Sequence, residues 1–189
     1  LPYATQRPAH ASQWFKKFEL PCRHESVSAM LTVSVTYKFS QRFPVPAQKA
    51  YQWCTDYEPS DLALMHEKGH REIRKVTNDT IIFKETVKQN GKNIRKIKLV
   101  KLNPKSLSWY NIQISGPNKH SAFLYEIVPE GKHKSRLNFT GLLVVYSKVR
   151  LTPQRIRQIA NRERRYDSIA WKLLARAMTK EYPGVSKQT

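Results

Sequence analysis

Between Gly69 and Ser147, six short β-prone runs follow one another with only a few turn residues between them, and this spacing limits the possible folds more than any other feature. The runs are roughly 70–77, 80–88, 93–102, 107–115, 120–128 and 135–147. They are broken at Asn78-Asp79, Asn90-Gly91, Asn103-Pro104, Gly116-Pro117-Asn118 and Glu130-Gly131. A parallel return needs a crossover of about a dozen residues, so runs joined this tightly must pair antiparallel in a meander.

What flanks the meander completes the pattern. From Met30 the chain alternates, with Leu31, Val33, Val35, Tyr37 and Phe39 on one face and Thr32, Ser34, Thr36 and Lys38 on the other, as in a strand buried on one side. Phe43-Pro44-Val45-Pro46 ends that strand, Ala50, Tyr51 and Cys54 recur at helical spacing, and Ser60 or Asp61 suits the cap of a second short helix through Met65. Thr152-Pro153 opens a long helix to about Tyr182, stopped by Pro183-Gly184. Ile156, Ile159, Tyr166, Ile169, Ala170, Leu173, Ala177 and Met178 form its apolar repeat. At 1.5 Å per residue it is roughly 40 Å long. It is the only element able to cover one apolar face of a seven-stranded sheet.

The expected architecture is therefore α+β: a curved seven-stranded antiparallel sheet wrapped around a long C-terminal helix, with two short helices after strand 1. Residues 1–29 carry Pro2, Pro8 and Pro21 and no sustained period, and read as an extension. Residues 30–189 form one domain of ordinary size. With 40% apolar residues the chain can build one core.

This succession resembles the Bet v 1-like helix-grip superfamily, which includes START lipid-transfer domains and polyketide cyclases. Phe43-Pro44-Val45-Pro46-Ala47, followed by Ala50-Tyr51-Gln52-Trp53-Cys54-Thr55-Asp56, is similar to the phrase joining first strand to first helix there. Ser135-Arg136-Leu137, opening the last strand, and the closing amphipathic helix are further points of likeness. The resemblance covers about residues 30–182. It implies a cavity between sheet and helix that takes a hydrophobic or amphipathic small molecule, lipid-like or polycyclic; in some relatives the cavity performs cyclase, aromatase or hydrolase chemistry.

Alternation along the strands places Trp109, Asn111 and Gln113 in one inward phase and Phe123, Tyr125 and Ile127 in another, with Phe139, Tyr166 and Ile169 completing a ligand-binding lining. An ordinary filled aromatic core is the alternative reading of the same positions. His66-Glu67-Lys68-Gly69-His70 matches a zinc-protease string, but that chemistry requires a helix and Gly69 terminates one, so no metal is expected. No catalytic residue and no cofactor is indicated: no serine is framed as G-x-S-x-G, and with six glycines no phosphate loop is evident. Asp56, Glu58 and Asp61 cluster near the cavity mouth, where an acid/base pair is conceivable but helix capping and solvation are cheaper explanations.

Charge bears on partners rather than fold. Lys and Arg total 34 against 14 Asp and Glu, a net +20, beyond what solubility needs. Residues 31–65 balance, whereas 66–136 carry 16 basic against 6 acidic residues and 150–189 carry 10 against 3. Lys96 and Lys98, read as sharing an outward phase, and Arg155, Arg162 and Arg165 on the final helix are candidate anion-binding residues. They suit an acidic ligand head group or, alternatively, docking on RNA, a ribonucleoprotein or an anionic membrane surface through backbone charge. Cys22 and Cys54 form no CxxC pair, no run is long enough to span a bilayer, and no signal peptide is evident. A cytoplasmic setting is the expectation.

Overall fold

The computed structural model describes residues 30–89 and 91–182. The extension expected over 1–29 and the helix stop at Pro183-Gly184 lie outside them. The described elements are β1 (Leu31–Phe43), α1 (Ala47–Thr55), α2 (Asp61–Leu64), β2 (Gly69–Lys75), β3 (Thr80–Gln89), β4 (Lys92–Asn103), β5 (Ser108–Ser115), β6 (Ala122–Pro129), β7 (Ser135–Ser147) and α3 (Pro153–Glu181). They form one antiparallel sheet in the order β1-β7-β6-β5-β4-β3-β2. Strand 1 closes on β7 over its full length, from Leu31 opposite Ser147 to Phe43 opposite Ser135. Among its neighbours in the sheet, α3 lies closest to β1.

Local chemistry sets the element boundaries. Thr152 accepts a hydrogen bond from the Arg155 amide at 3.2 Å and Pro153 follows it, so α3 starts on a cap worth about 1 kcal/mol. Pro46 opens α1, which buries Ala47, Ala50, Tyr51 and Cys54. Ser135 Oγ donates to the Val45 carbonyl at 2.8 Å inside the protein, tying the β1–α1 link to the start of β7. Gly141 is required by close approach: a Cβ there would meet the Tyr37 ring at 2.5 Å.

Packing divides the concave side into two regions. Under the C-terminal half of α3, Phe43, Tyr51, Trp109, Leu137 and Met178 build a filled core with Trp171; burying each large apolar side chain contributes roughly 1.5–3 kcal/mol. Under the N-terminal half, Val35, Tyr37, Phe139, Leu143 and Ile159 form a second, smaller cluster.

Two phase readings are corrected here. Lys96 and Lys98 face the concave side rather than outward: in register they oppose Glu85 and Phe83, both buried. Their neighbours Ile97 and Leu99 take the convex face, beside the half-exposed Tyr110, Ile112, Leu124 and Leu142. The alternation was right and its sign was inverted, because a buried carboxylate compensates lysine on the inner face. On α3, Tyr166 and Ile169 are 54% and 49% exposed. The inner face of the helix instead presents Ile159, Asp167, Trp171, Leu174 and Met178. The apolar repeat is wide enough to be centred either way, and the sheet selects the centre.

Candidate functional site

The inward phases of β5 and β6 carry Trp109, Asn111 and Gln113 opposite Phe123 and Tyr125. These rings mostly pack on one another. Trp109 and Tyr125 stack at 4.8 Å with 3° between planes, and Trp171 from α3 lies 6.3 Å and 5.7 Å from them. Phe139 stacks on Phe39 at 4.6 Å and meets Tyr125 edge-on at 5.1 Å. Asn111 Nδ2 donates to the Tyr125 hydroxyl at 3.1 Å, while Asn111 Oδ1 has no hydrogen-bond partner among the described residues. Gln113 Nε2 donates to the Ser115 carbonyl at 2.6 Å, in the irregular stretch where β5 shifts register against β4.

Charge enters this face from both sides. From β2 to β4, Arg71 donates to Glu85 Oε1 from Nε at 3.0 Å and Nη2 at 2.9 Å, and Lys98 Nζ reaches Glu85 Oε2 at 2.8 Å. Arg71 Nη1 also reaches Asp61 at 3.0 Å. Burial pushes the Glu85 carboxyl up, yet Lys98 and Arg71 outweigh it and hold the group below the usual range. From α3, Asp167 accepts a hydrogen bond from the Tyr37 hydroxyl. Burial, with the charge of Glu163, pushes the Asp167 carboxyl up to about 6; the Tyr37 bond, Lys98 and Lys96 oppose the shift. Burial and Asp167 together raise the Tyr37 hydroxyl. This carboxyl therefore gains and loses its proton near neutral pH.

Open space lies at the rim. A cleft of about 320 Å³ sits between the β5–β6 turn, the end of β7 and the N-terminal half of α3. Leu143, Val145 and Ile159 give it an apolar floor, and Lys119, Tyr146, Arg162 and Glu163 a polar edge. The turn is sharp: Gly116 has φ +91°, Asn118 +60° and His120 +70°. A Cβ at Gly116 would strike the Arg95 carbonyl oxygen, so glycine is needed there on both counts. His120 and the Tyr146 hydroxyl share a hydrogen bond that pins the turn to β7. A second opening, about 490 Å³, runs along the outer flank of α3 past Asn161, Arg162, Arg165, Tyr166 and Ile169.

Of the expected lining, Trp109, Asn111, Gln113, Phe123, Tyr125 and Phe139 are on the concave face, while Tyr166 and Ile169 border the second opening. Of the expected anion-binding set, Arg162 borders both openings, Arg165 the second, Arg155 is exposed on α3, and Lys96 and Lys98 point inward. Sequence reasoning missed Asp167, Leu143, Val145 and Lys119. Asp167 lies eight residues after Ile159, an inward interval on a helix, so its position was open to detection.

The zinc-protease string is not helical. α2 ends at Leu64, His66 has φ +58°, and Gly69 and His70 begin β2. Cys54 is buried, with no disulfide partner among the described residues, and its thiol is pushed up mainly by that burial.

A sheet gripping one long helix, with two short helices after the first strand, is the helix-grip arrangement. Solved structures sharing it include the Zhui aromatase/cyclase from Streptomyces sp. R1128, at TM-score 0.62 and 14% identity over 82% of this chain and 99% of that one. A START superfamily protein from Mycobacterium smegmatis aligns at TM-score 0.60 and 14% identity, over 77% and 98% of the two chains. Ara h 8.0201 aligns at 0.56 and 12%, over 76% and 99%. At these identities the likeness is one of fold. No protein-family model matches the sequence, and no curated protein matches it.

Proposed function

We propose that the protein binds an amphipathic small molecule between sheet and helix, at the cleft bounded by the β5–β6 turn and α3. One observation carries this reading: Leu143, Val145 and Ile159 offer an apolar floor beside a charged rim in which Lys119 and the Glu163-paired Arg162 supply the cations. About 320 Å³ lies at the lower end of the range for small-molecule sites, enough for a ring system or a short acyl segment. The acidic group of such a ligand would face Lys119 and Arg162, and its apolar body would cover the floor. The aromatic residues beneath, from Trp109 to Phe139, support the site more than they line it.

A thermal-shift panel of fatty acids and polycyclic phenols tests this. Acidic amphiphiles are expected to raise Tm, Ile159→Trp to abolish the shift by filling the floor, and Lys119→Glu to weaken acidic ligands while sparing neutral analogues. No shift from any ligand, or shifts indifferent to both variants, would refute it.

Acid–base chemistry at the same face is a second reading, favoured by the Tyr37-bonded Asp167 carboxyl that titrates near neutral pH. Recovery of every bound ligand chemically unchanged would leave binding alone. No described helix is long and apolar enough to cross a membrane.

A further inference from the structure

The inner face of α3 is consumed by the sheet, and its outer face carries a charge pattern of which the proposed small-molecule cleft uses only Arg162. At 100° per residue, Arg155, Arg162, Arg165, Lys172, Arg176 and Lys180 fall within an arc of about 100°. All six are exposed. No Asp or Glu falls in that arc: Glu163, Asp167 and Glu181 lie outside it. Among the described residues only Arg162 of the six is ion-paired, to Glu163 at 2.6 Å. From Arg155 to Lys180 the stripe runs about 38 Å in a straight line. Unscreened like charges so arranged repel one another, and an anionic partner relieves that repulsion.

Geometry selects the partner. A helix that lies in a lipid interface presents a broad apolar face to it, but the buried Ile159, Leu174 and Met178 of α3 face the sheet and leave only Ile169 and, at its edge, the half-buried Leu173 within the arc. A duplex strand completes a turn in about 34 Å and winds away from a straight rod, whereas a flexible single strand can follow it. Beside the stripe lies the groove of about 490 Å³ with Tyr166 and Ile169 on its wall. The Tyr166 hydroxyl donates to Glu67 Oε1 at 2.8 Å, which holds the ring in place. A fixed, half-exposed aromatic next to a line of cations is the combination that single-stranded nucleic acids use, phosphates on the charges and a base on the ring.

We infer that the outer face of α3 is a docking surface for the phosphate backbone of single-stranded nucleic acid, with Tyr166 as a stacking platform for one base. Base sequence is not read. The measurement is fluorescence anisotropy with a labelled 12-nucleotide polyuridine RNA at ~50 and ~200 mM salt. Six neutralised phosphates on a single strand give a log–log slope of about −4, so Kd should rise roughly 300-fold across that range. The variant R165Q/K172Q/R176Q/K180Q leaves two of the cations and should reduce the rise to roughly 7-fold. Tyr166→Ala should weaken binding roughly 5- to 150-fold with the slope unchanged. A charge-matched control, K38Q/K84Q/K88Q/K132Q, removes four exposed lysines elsewhere and should keep the parent slope.

The quadruple α3 variant retains Arg162, Lys119 and the cleft floor, so its ligand-induced thermal shifts report separately on the small-molecule reading. The inference is overturned if the control lowers the slope as much as the α3 variant, since net charge alone would then be acting. It is overturned too if duplex binds more tightly than single strand, or if phosphatidylserine vesicles are bound and the RNA is not.

Discussion

Replacing Glu85 by alanine should be among the most damaging single changes in this protein. Glu85 is 3% exposed and accepts from Arg71 Nε, Arg71 Nη2 and Lys98 Nζ at 2.8–3.0 Å. Without it, Arg71 keeps Asp61 at 3.0 Å and the Glu58 carbonyl at 3.2 Å. Lys98 loses the one carboxylate it touches among the described residues, and Asp167 acts on it only at longer range. Removing one partner of a buried ion network costs about 3–5 kcal/mol, because the remaining charge is desolvated without compensation. At about 2–4 °C per kcal/mol for a domain of this size, Tm should fall by roughly 6–20 °C. Urea denaturation supplies the free energy and a thermal melt the Tm. The triple variant R71M/E85L/K98M, which removes the charges together, should recover most of the loss. The pH dependence has a definite sign. The folded Glu85 carboxyl titrates below the unfolded value near ~4.3, so its stabilisation is complete above that value and is lost as pH falls through the lower folded one. Glu85→Ala should therefore flatten the acid limb of the stability curve. A cost under ~1 kcal/mol, or a triple variant as unstable as the single one, would refute this reasoning.

Asp167 should act in the opposite sense. With its folded carboxyl raised to about 6, stability declines as pH rises from ~4 through ~6, by up to about 3 kcal/mol, and Asp167→Asn should remove that share while Asp56, also raised to about 6, retains its own; denaturation midpoints across pH 4–7 that decline identically in both proteins would refute it. Gly141→Ala should cost about 1–3 kcal/mol by driving a methyl into the Tyr37 ring, and Gly141→Ala with Tyr37→Leu should cost less than the sum of the two singles. Additive losses in chemical denaturation would show that the two residues do not clash.

The order and type of the elements could be read from the sequence because they rest on local chemistry. Turn residues at Asn90-Gly91 and Gly116-Pro117-Asn118 separate the runs, Thr152-Pro153 opens the final helix, and a two-residue period identifies each strand wherever it packs. The inward set on β5 to β7, from Trp109 to Phe139, followed from that same period. Side-chain direction on β4 and α3 did not. Lys96 and Lys98 alternate with Ile97 and Leu99 as a surface strand would, and only the placement of Glu85 on the neighbouring strand makes the lysine side the inner one. Tyr166 and Ile169 belong to the apolar repeat of α3, but the sheet takes the flank carrying Asp167 and Trp171. The cleft at the β5–β6 turn joins residues from Gly116 to Glu163, so it comes into being only when the helix is laid across the sheet. Sequence by itself determined which segments alternate and where they stop, since those depend on neighbours along the chain. The tertiary structure alone decided which face each segment buries and where space remains, since both depend on charges and volumes supplied by strands distant in sequence.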